Sequence, residues 1–270
     1  MVRLITWNVA RRVEALAAQA AALGGREPDI VALQEVTART LPLWEAALAT
    51  IGLPQVACTL ATAEPAREPV GPRRTSVLLA ARTPLAVRPG LLPVPWPETA
   101  LAAEVAGIEL HTVHVPNAAN GWIKPDTLAA VRAGLAARSG PRVLCGDLNT
   151  PRREAADGTV VSFARDGRGR LRPERGTRWD DAELGVVPRL RELGFHDAFR
   201  ALHGYGAREP SWTWRRIAGH GGGWRLDHLF CSAELQPVAC AYHHDWRDDG
   251  LSDHSALEAD LALRGDFPDG

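Results

Sequence analysis

The stretch most suited to chemistry is Val143-Leu144-Cys145-Gly146-Asp147-Leu148-Asn149, in which an apolar run passes through a glycine to two oxygen-rich side chains. An apolar run of this kind predicts a buried strand. Because successive strand residues point to opposite faces, Asp147 and Asn149 should lie side by side, with Leu148 turned into the core. A carboxylate beside a carboxamide at a strand end can hold a metal ion or a water molecule. A strand that simply ends in a turn, where Asp and Asn are common, is the alternative.

Five further segments repeat this arrangement, each with an acid, an amide or an imidazole at or just after the end of a predicted strand. They are Asn8, Glu35, His114 with Asn117, Asp227, and Asp253 with His254. Each one alone has a structural explanation: Asn8 could cap a helix, Asp227 could pair with a neighbour, and His114 could be a core histidine. Their joint occurrence favours a shared site.

The elements that must position these residues alternate between strands and helices. Strands are predicted at 3–9, 29–35, 54–60, 76–81, 101–105, 108–115, 143–147, 211–214, 225–231, 235–242 and 256–261, and helices at 13–23, 41–51, 125–138 and 180–193. Residues 150–178 are rich in Arg, Gly and Asp, which predicts a mobile insertion with a hairpin around Gly167–Gly169. We therefore expect one α/β domain over residues 1–270, with sheets inside and helices outside.

Composition narrows the functional classes. With 46% hydrophobic and 23% charged residues the chain is typical of globular proteins, and no apolar run approaches the ~20 residues of a membrane span. Polar residues interrupt the short apolar start, so no secretion signal is expected, and the protein is predicted to be cytoplasmic. The cysteines have no metal-binding spacing and are expected to be buried thiols rather than disulfides: Cys58, Cys145, Cys231 and Cys240.

The charge pattern argues against a uniformly basic nucleic-acid binder, because the net charge is only −1. Lys124 is the only lysine, so arginine supplies nearly all the basic residues. Arginine is the better ligand for phosphate, but a genome rich in G and C would produce the same bias and is the preferred explanation.

Six segments together resemble the endonuclease/exonuclease/phosphatase superfamily, which includes exonuclease III, the abasic-site endonucleases, DNase I, sphingomyelinases and inositol polyphosphate phosphatases. They occur in the family's order: Thr6-Trp7-Asn8-Val9, Leu33-Gln34-Glu35, His114-Val115-Pro116-Asn117, Gly146-Asp147-Leu148-Asn149, Arg225-Leu226-Asp227-His228 and Ser252-Asp253-His254. The resemblance implies the DNase I-like fold, of class α/β (α+β), in which two packed mixed sheets flanked by helices form a four-layered α/β sandwich. The site would lie where the strand ends meet.

Residue roles are implied by this resemblance and agree with the chemistry of phosphodiester cleavage. The cofactor would be Mg²⁺, or Mn²⁺, which prefers hard oxygen ligands. The implied metal ligands are Asn8, Glu35 and Asp253. The implied catalytic residues are His114, Asp147, Asn149, Asp227 and His254, with Asp147 orienting or deprotonating water and Asp227 fixing the tautomer of His254. The implied phosphate-binding residues are Asn117 and Trp212.

Several departures leave the subfamily open. The abasic-site branch has tyrosine where this chain has His114, and it carries an acid or a glycine where Ala10-Arg11 follows the first Asn-Val. The segment Ser211-Trp212-Thr213-Trp214 resembles an aromatic element of the abasic-sugar pocket, although core packing is expected for at least one of its tryptophans.

The leading hypothesis is a metal-dependent nuclease acting on DNA, without a membrane partner and as a monomer. A phosphatase or phosphodiesterase for a small phosphorylated molecule or a lipid head group is the alternative, and a binding protein that has lost catalysis is the third. A nuclease needs a basic strip along a groove, whereas a small-molecule enzyme needs a closed pocket.

Overall fold

The protein is described by a computed structural model that covers residues 1–62, 70–214 and 222–264. The strands, numbered along the chain, are β1 (Val2–Asn8), β2 (Ile30–Val36), β3 (Gln55–Cys58), β4 (Ser76–Ala81), β5 (Leu85–Val87), β6 (Ala100–Val105), β7 (Ile108–His114), β8 (Arg142–Asp147), β9 (Arg153–Glu154), β10 (Val160–Val161), β11 (Phe195–Asp197), β12 (Trp212–Trp214), β13 (Gly222–Trp224), β14 (Asp227–Ser232), β15 (Leu235–His243) and β16 (Ala256–Leu263). The helices are α1 (Leu16–Gly24), α2 (Leu41–Thr50), α3 (Thr59–Thr62), α4 (Ile123–Ala136), α5 (Gly176–Val186), α6 (Ala198–His203) and α7 (His244–Asp248), with 3₁₀ turns at Gly71–Arg74, Pro97–Thr99, Ala118–Asn120 and Arg189–Leu193.

Two six-stranded sheets form the centre of the fold. The first has the order β15-β16-β1-β2-β4-β3 and the second has the order β11-β14-β8-β7-β6-β5. Both are mixed, because β1 pairs with β2 and β7 pairs with β8 in parallel, while the other neighbours are antiparallel. In each parallel pair the carboxyl ends of the two strands meet at the same edge, which is where the polar residues of the sequence motifs lie.

The alternation of side chains along the strands produces three apolar layers. Leu4 of β1 packs between the two sheets with Val143 of β8, whereas the next residue, Ile5, faces outward against α1 and α2. On the other side, Leu144 of β8 packs outward against Val131 of α4. The result is a four-layered sandwich with helices outside both sheets, as the family resemblance implied.

The helix predicted at 180–193 is wrong at both ends. The structure has α5 at Gly176–Val186 and a separate 3₁₀ turn at Arg189–Leu193. Pro188 lies between them, and a proline disfavours helical backbone at the residue before it, so Val187 is extended. Among the elements that were not predicted, β5, β11, α6 and α7 are each six residues or shorter. Such elements carry too little periodicity to be recognised.

The segment 150–178 contains the two-stranded pair β9–β10 and an antiparallel bridge between Arg165 and Leu171. This bridge flanks Gly167–Gly169, where the hairpin was predicted. Among the described residues, no helix has the length and apolar character that crossing a membrane requires.

Candidate active site

Asp147 and Asn149 lie together at the end of β8, as predicted. The backbone N–H of Asn149 donates to Asp147 Oδ1 at 2.9 Å, and Leu148 between them is fully buried. Gly146 makes this geometry possible, because its φ is +128° and a Cβ at this position would lie 2.0 Å from the carbonyl oxygen of Val113. The close approach of β7 to β8 therefore requires glycine just before the acid.

Asn8 and Glu35 reach the same point from the first sheet. Asn8 is fully buried at the end of β1, and its Nδ2 donates to Asp147 Oδ2 at 3.1 Å and to Glu35 Oε1 at 3.3 Å. Glu35 has a φ of +62° and lies at a bulge in the pairing of β2 with β4. A bulge of this kind re-aims a side chain that regular alternation would point elsewhere. The two sheets thus contribute acids to one cluster.

His114 ends β7 directly beside Asp147 in the parallel register. Its Nε2 lies 3.8 Å from both Glu35 Oε1 and Asp147 Oδ2. This distance is too long for a hydrogen bond but short enough for an electrostatic interaction. The imidazole therefore faces the two carboxylates without being tied to either.

Asp227 and His254 form the opposite side of the cluster. Asp227 pairs with Asp147 across β14 and β8, and its Oδ2 lies 2.8 Å from His254 Nδ1. The far ring nitrogen, Nε2, lies 3.9 Å from Asp147 Oδ2. Trp7 Nε1 donates to the carbonyl oxygen of His254 at 2.9 Å and fixes the backbone of this residue.

Electrostatics couple these buried groups. Burial raises the pKa of Asp147, and the charge of Asp227 raises it further. Burial alone would lower the pKa of His254, but the charges of Asp227 and Asp147 outweigh it and raise that pKa to about 10. Burial opposes ionisation of Asp227, but the charge and hydrogen bond of His254 outweigh it and lower the pKa of that carboxyl. These shifts favour a protonated His254 beside an ionised Asp227.

A pocket of about 480 Å³ opens above the cluster. Eight of the ten predicted site residues line it: Glu35, His114, Asn117, Asp147, Asn149, Trp212, Asp253 and His254. Asn8 and Asp227 are buried behind these residues and contact them by hydrogen bonds. The structure therefore brings all ten predicted residues to one place.

One wall of the pocket is aromatic. Trp212 stacks on Trp224 with ring centroids 5.2 Å apart and planes inclined by 14°, and Phe163 meets Trp224 edge-on at 4.9 Å. Trp214 packs against Trp224 at 4.7 Å. The expectation that Trp212 or Trp214 packs in the core is wrong, because both are half-exposed on the hairpin β12–β13. A three-residue strand of a small hairpin is too short to bury them.

Several pocket residues were not predicted, among them Arg11, Lys124, Trp224 and Leu226. Lys124 is the most informative, because its ammonium is fully buried, lies 2.8 Å from Glu183 Oε1 and donates to the carbonyl oxygen of Asn149 at 2.7 Å. That it is the only lysine was visible in the sequence, but nothing local pointed to Glu183 as its partner. Trp224 could have been found from its position just before the Arg225-Leu226-Asp227-His228 motif.

The donor set fits a hard divalent cation. Glu35, Asp147 and Asp253 bring three carboxylates to the pocket, and none of the described residues that line it carries sulfur. The described part of the chain contains one group of three His, Cys, Asp or Glu residues whose possible ligand atoms lie within 4.8 Å of one another. The three residues are Asp147, Asp227 and His254. Burial raises the pKa of Asp147 most, and the charge of Asp227 raises it further, so a cation beside these two acids would favour their ionised forms.

Comparisons with known proteins agree with this geometry. The sequence profile of the Endonuclease/Exonuclease/phosphatase family matches residues 5–254. A DNA repair nuclease, APEX1 of Danio rerio, is 32% identical over 153 residues, which cover 52% of this chain and 44% of that protein, so the match spans less than half of the relative.

Two solved structures share the fold. An AP endonuclease from Archaeoglobus fulgidus has a TM-score of 0.69 at 22% identity, covering 97% of this chain and 100% of that one. A point variant of the 3′ phosphatase NExo from Neisseria, bound to a product DNA hairpin, has a TM-score of 0.66 at 21% identity with the same coverage.

Proposed function

We propose that this chain, which belongs to the endonuclease/exonuclease/phosphatase family, is a metal-dependent phosphodiesterase that cleaves DNA. The observation that carries the proposal is one pocket in which Glu35, Asp147 and His254 face an aromatic wall. The acids and the imidazole suit hydrolysis of a phosphate ester, and the aromatic wall suits the sugar or base of a nucleotide. The similarity to a DNA repair nuclease and to an AP endonuclease supports an abasic-site or exonuclease III-like activity.

The proposed cofactor is Mg²⁺, with Mn²⁺ as a substitute. Glu35 is the leading ligand, because its carboxylate is partly exposed in the pocket, while Asp253 can add a second carboxylate from the facing loop. Asn8, which the sequence also predicted as a ligand, stands behind Glu35; its Nδ2 donates to that carboxylate and its Oδ1 accepts from the N–H of Ala10, so it would orient Glu35. When bound, the ion would neutralise charge on the phosphate and help to polarise the bond to phosphorus.

Asp147 is the proposed general base. It would accept a proton from the attacking water while the water oxygen bonds to phosphorus, and Asn149 would hold that water or the phosphate. A raised pKa suits this role, because a base is most effective when its pKa approaches the working pH. The bond from phosphorus to the leaving oxygen would then break, and a protonated His114 would give that oxygen its proton.

His254 is proposed to donate from Nε2 to a non-bridging phosphate oxygen and to stabilise the charge that develops there. Asp227 holds the ring by accepting from Nδ1, so that the donating nitrogen faces the pocket. Asn117 and Trp212, on the pocket lining, would contact the phosphate and the neighbouring sugar.

A second candidate is hydrolysis of a terminal phosphate monoester, including one on a small molecule. Arg11 lines the pocket beside Glu35. This cation would suit the extra negative charge of a monoester, and one protein of the same fold is a 3′ phosphatase. We also propose that the enzyme is cytoplasmic and monomeric. The buried free thiols Cys145, Cys231 and Cys240 are compatible with a reducing compartment.

An activity panel with Mg²⁺ tests these proposals. The substrates are a plasmid, an abasic duplex, a 3′-recessed duplex, a 3′-phosphorylated duplex and small phosphate esters, with Asp147→Asn as the inactive control. Cleavage of the DNA diesters that EDTA abolishes and Asp147→Asn lacks supports the main proposal. Activity on monoesters alone favours the second candidate, and full activity after exhaustive chelation rules out the metal.

A further inference from the structure

A second crevice, of about 460 Å³, lies beside the first pocket and shares the side chain of Trp224 with it. Its walls come from the segment after Asn149 and from the loop that leads to β12. The lining residues are Pro151, Arg152, Arg153, Glu154, Ala155, Arg200, Ala207, Arg208, Glu209, Pro210, Gly223, Trp224 and Arg225. Five of them are arginines and two are acids, which makes the crevice strongly cationic.

The floor of the crevice is electrically balanced. Glu154 accepts from Arg225 at 2.7 Å and from Arg200 at 2.8 Å, and Arg225 also lies 2.6 Å from Asp197 Oδ2. The side chains of Glu154, Arg200 and Arg225 are each 7% exposed or less. The charges of Arg200 and Arg225 are therefore balanced by Glu154 and Asp197. The two arginines are held by these acids and are not available to a ligand.

The rim carries the excess charge. Within residues 1–62, 70–214 and 222–264, Arg152, Arg153 and Arg208 have no carboxylate within ion-pair distance. The remaining rim acid, Glu209, is engaged by His244. Three arginines therefore line one crevice without an ion pair to a carboxylate of the described chain. Guanidinium groups in that state bind phosphate well, because their planar donors match its oxygens.

We propose that this second crevice binds the phosphodiester backbone of the substrate strand on one side of the cleaved bond. This rests on the proposed function, in which the scissile phosphate lies at Asp147 and His254. Because Trp224 lines both cavities, a strand seated in the first can continue past this ring into the second, and each further nucleotide adds one negative charge. The crevice then gives the enzyme a preference for polymers over small esters.

The test compares two charge-matched triple variants. The first is Arg152→Gln/Arg153→Gln/Arg208→Gln, which removes the rim. The control is Arg138→Gln/Arg191→Gln/Arg264→Gln, which removes three arginines at the opposite end of the sheets, where β7 and β8 begin and β16 ends. Thermal melting of both variants checks that each is folded.

Binding of a fluorescent abasic duplex is measured by anisotropy in EDTA over a range of salt concentrations, so that no cleavage is needed. The slope of log Kd against log salt should become shallower by about 2 to 3 in the rim variant and stay unchanged in the control. In Mg²⁺, kcat/KM on the duplex should fall for the rim variant at low salt. On bis(p-nitrophenyl) phosphate, a diester that is not part of a polymer, the kcat/KM of the rim variant should stay within about twofold of the wild-type value.

Equal salt slopes in the two variants, or an equal loss on the small diester, would overturn the proposal. So would a wild-type protein that does not bind the duplex at all. These results are distinct from failure of the proposed function, which would appear as a wild-type enzyme that hydrolyses small esters but leaves every DNA substrate intact.

Discussion

Lys124 and Glu183 form an ion pair of 2.8 Å in which both side chains are fully buried. The pair lies directly beside the proposed catalytic residues, because the same ammonium donates to the carbonyl oxygen of Asn149, whose φ is +50°. Glu183 in turn accepts from Thr150 Oγ1 at 2.6 Å and from the backbone N–H of Phe163 at 2.8 Å. One buried charge pair thus fixes the turn that carries Asn149.

Lys124→Met should lower the free energy of unfolding by about 3–5 kcal/mol, because it leaves the Glu183 carboxylate buried without its counter-charge. Adding Glu183→Gln should recover part of this loss, since the amide is neutral and still accepts hydrogen bonds. Urea unfolding of the wild type, both single variants and the double variant measures it. A double variant as unstable as the sum of the singles would show that the two residues act independently.

Arg11 places its Nε 3.0 Å from Glu35 Oε2 with a side chain that is 64% exposed. This guanidinium competes with a metal ion for the leading carboxylate. Exposed pairs contribute about 0.2–1 kcal/mol, so Arg11→Gln should tighten Mn²⁺ binding by about 1.4- to 5-fold.

Electron paramagnetic resonance of free Mn²⁺ measures this affinity without any turnover. The matched control is Arg12→Gln, which removes the neighbouring exposed arginine. Equal affinities in the two variants would show that the pair with Glu35 has no influence on the ion.

Local patterns in the sequence were enough to place the main site residues. Strand periodicity put Asp147 and Asn149 at one strand end, and short motifs of the same type marked Glu35 and His254. Contacts across long separations were not predictable in this way: the bond from Asn8 to Asp147 spans 139 residues, and Lys124 meets Glu183 in another helix. Such pairs form because of side-chain packing across the whole fold, and a window of a few residues carries no information about that packing.

The aromatic wall was not predictable from the sequence because it also depends on contacts between separate elements. Trp212 and Trp224 stack only because β12 and β13 pair, and a three-residue strand has too little pattern to predict its partner. The second sheet's β11 was missed for the same reason, although Asp197 at its end anchors Arg225.

Acid should destabilise the protein through the network around Arg225. Burial opposes ionisation of Glu154, but the charges and hydrogen bonds of Arg225 and Arg200 outweigh it and lower its pKa from 4.5 to about 2. Asp197 has a lowered pKa for the same reason, with Arg225 and His228 as its partners. Because these pKa values are lower in the folded state, their contribution is complete above about pH 4.5 and is lost as the pH falls toward 2.

The expected contribution of Glu154 is about 3 kcal/mol at neutral pH. Urea unfolding between pH 7 and pH 2 should therefore show a shallower loss of stability in Glu154→Gln than in the wild type. Glu258→Gln serves as the comparison. Burial opposes ionisation of Glu258 as well, but Arg26 and His243 outweigh it and lower the pKa of Glu258 to about 2. If Glu154→Gln follows the wild-type pH curve in parallel, the network does not supply the acid sensitivity.

Asp227 Oδ2 lies 2.8 Å from His254 Nδ1. If Asp227 orients His254, Asp227→Asn should leave the fold intact and impair cleavage, because an amide can present the wrong group to the ring. In serine proteases a comparable change costs about 10⁴-fold. A loss on the order of 10²-fold is expected here, since His254 would stabilise charge rather than activate a covalent nucleophile.

The two substitutions should also be non-additive, as they are for residues that act as a unit. Once His254→Ala has removed the imidazole, Asp227→Asn should cost little more. The values of kcat/KM for both single variants and the double variant, on the DNA substrate that the panel identifies, decide this. Losses that multiply independently would mean that Asp227 acts through another group, and Asp147, which lies opposite it in the β8–β14 register, is then the nearest candidate.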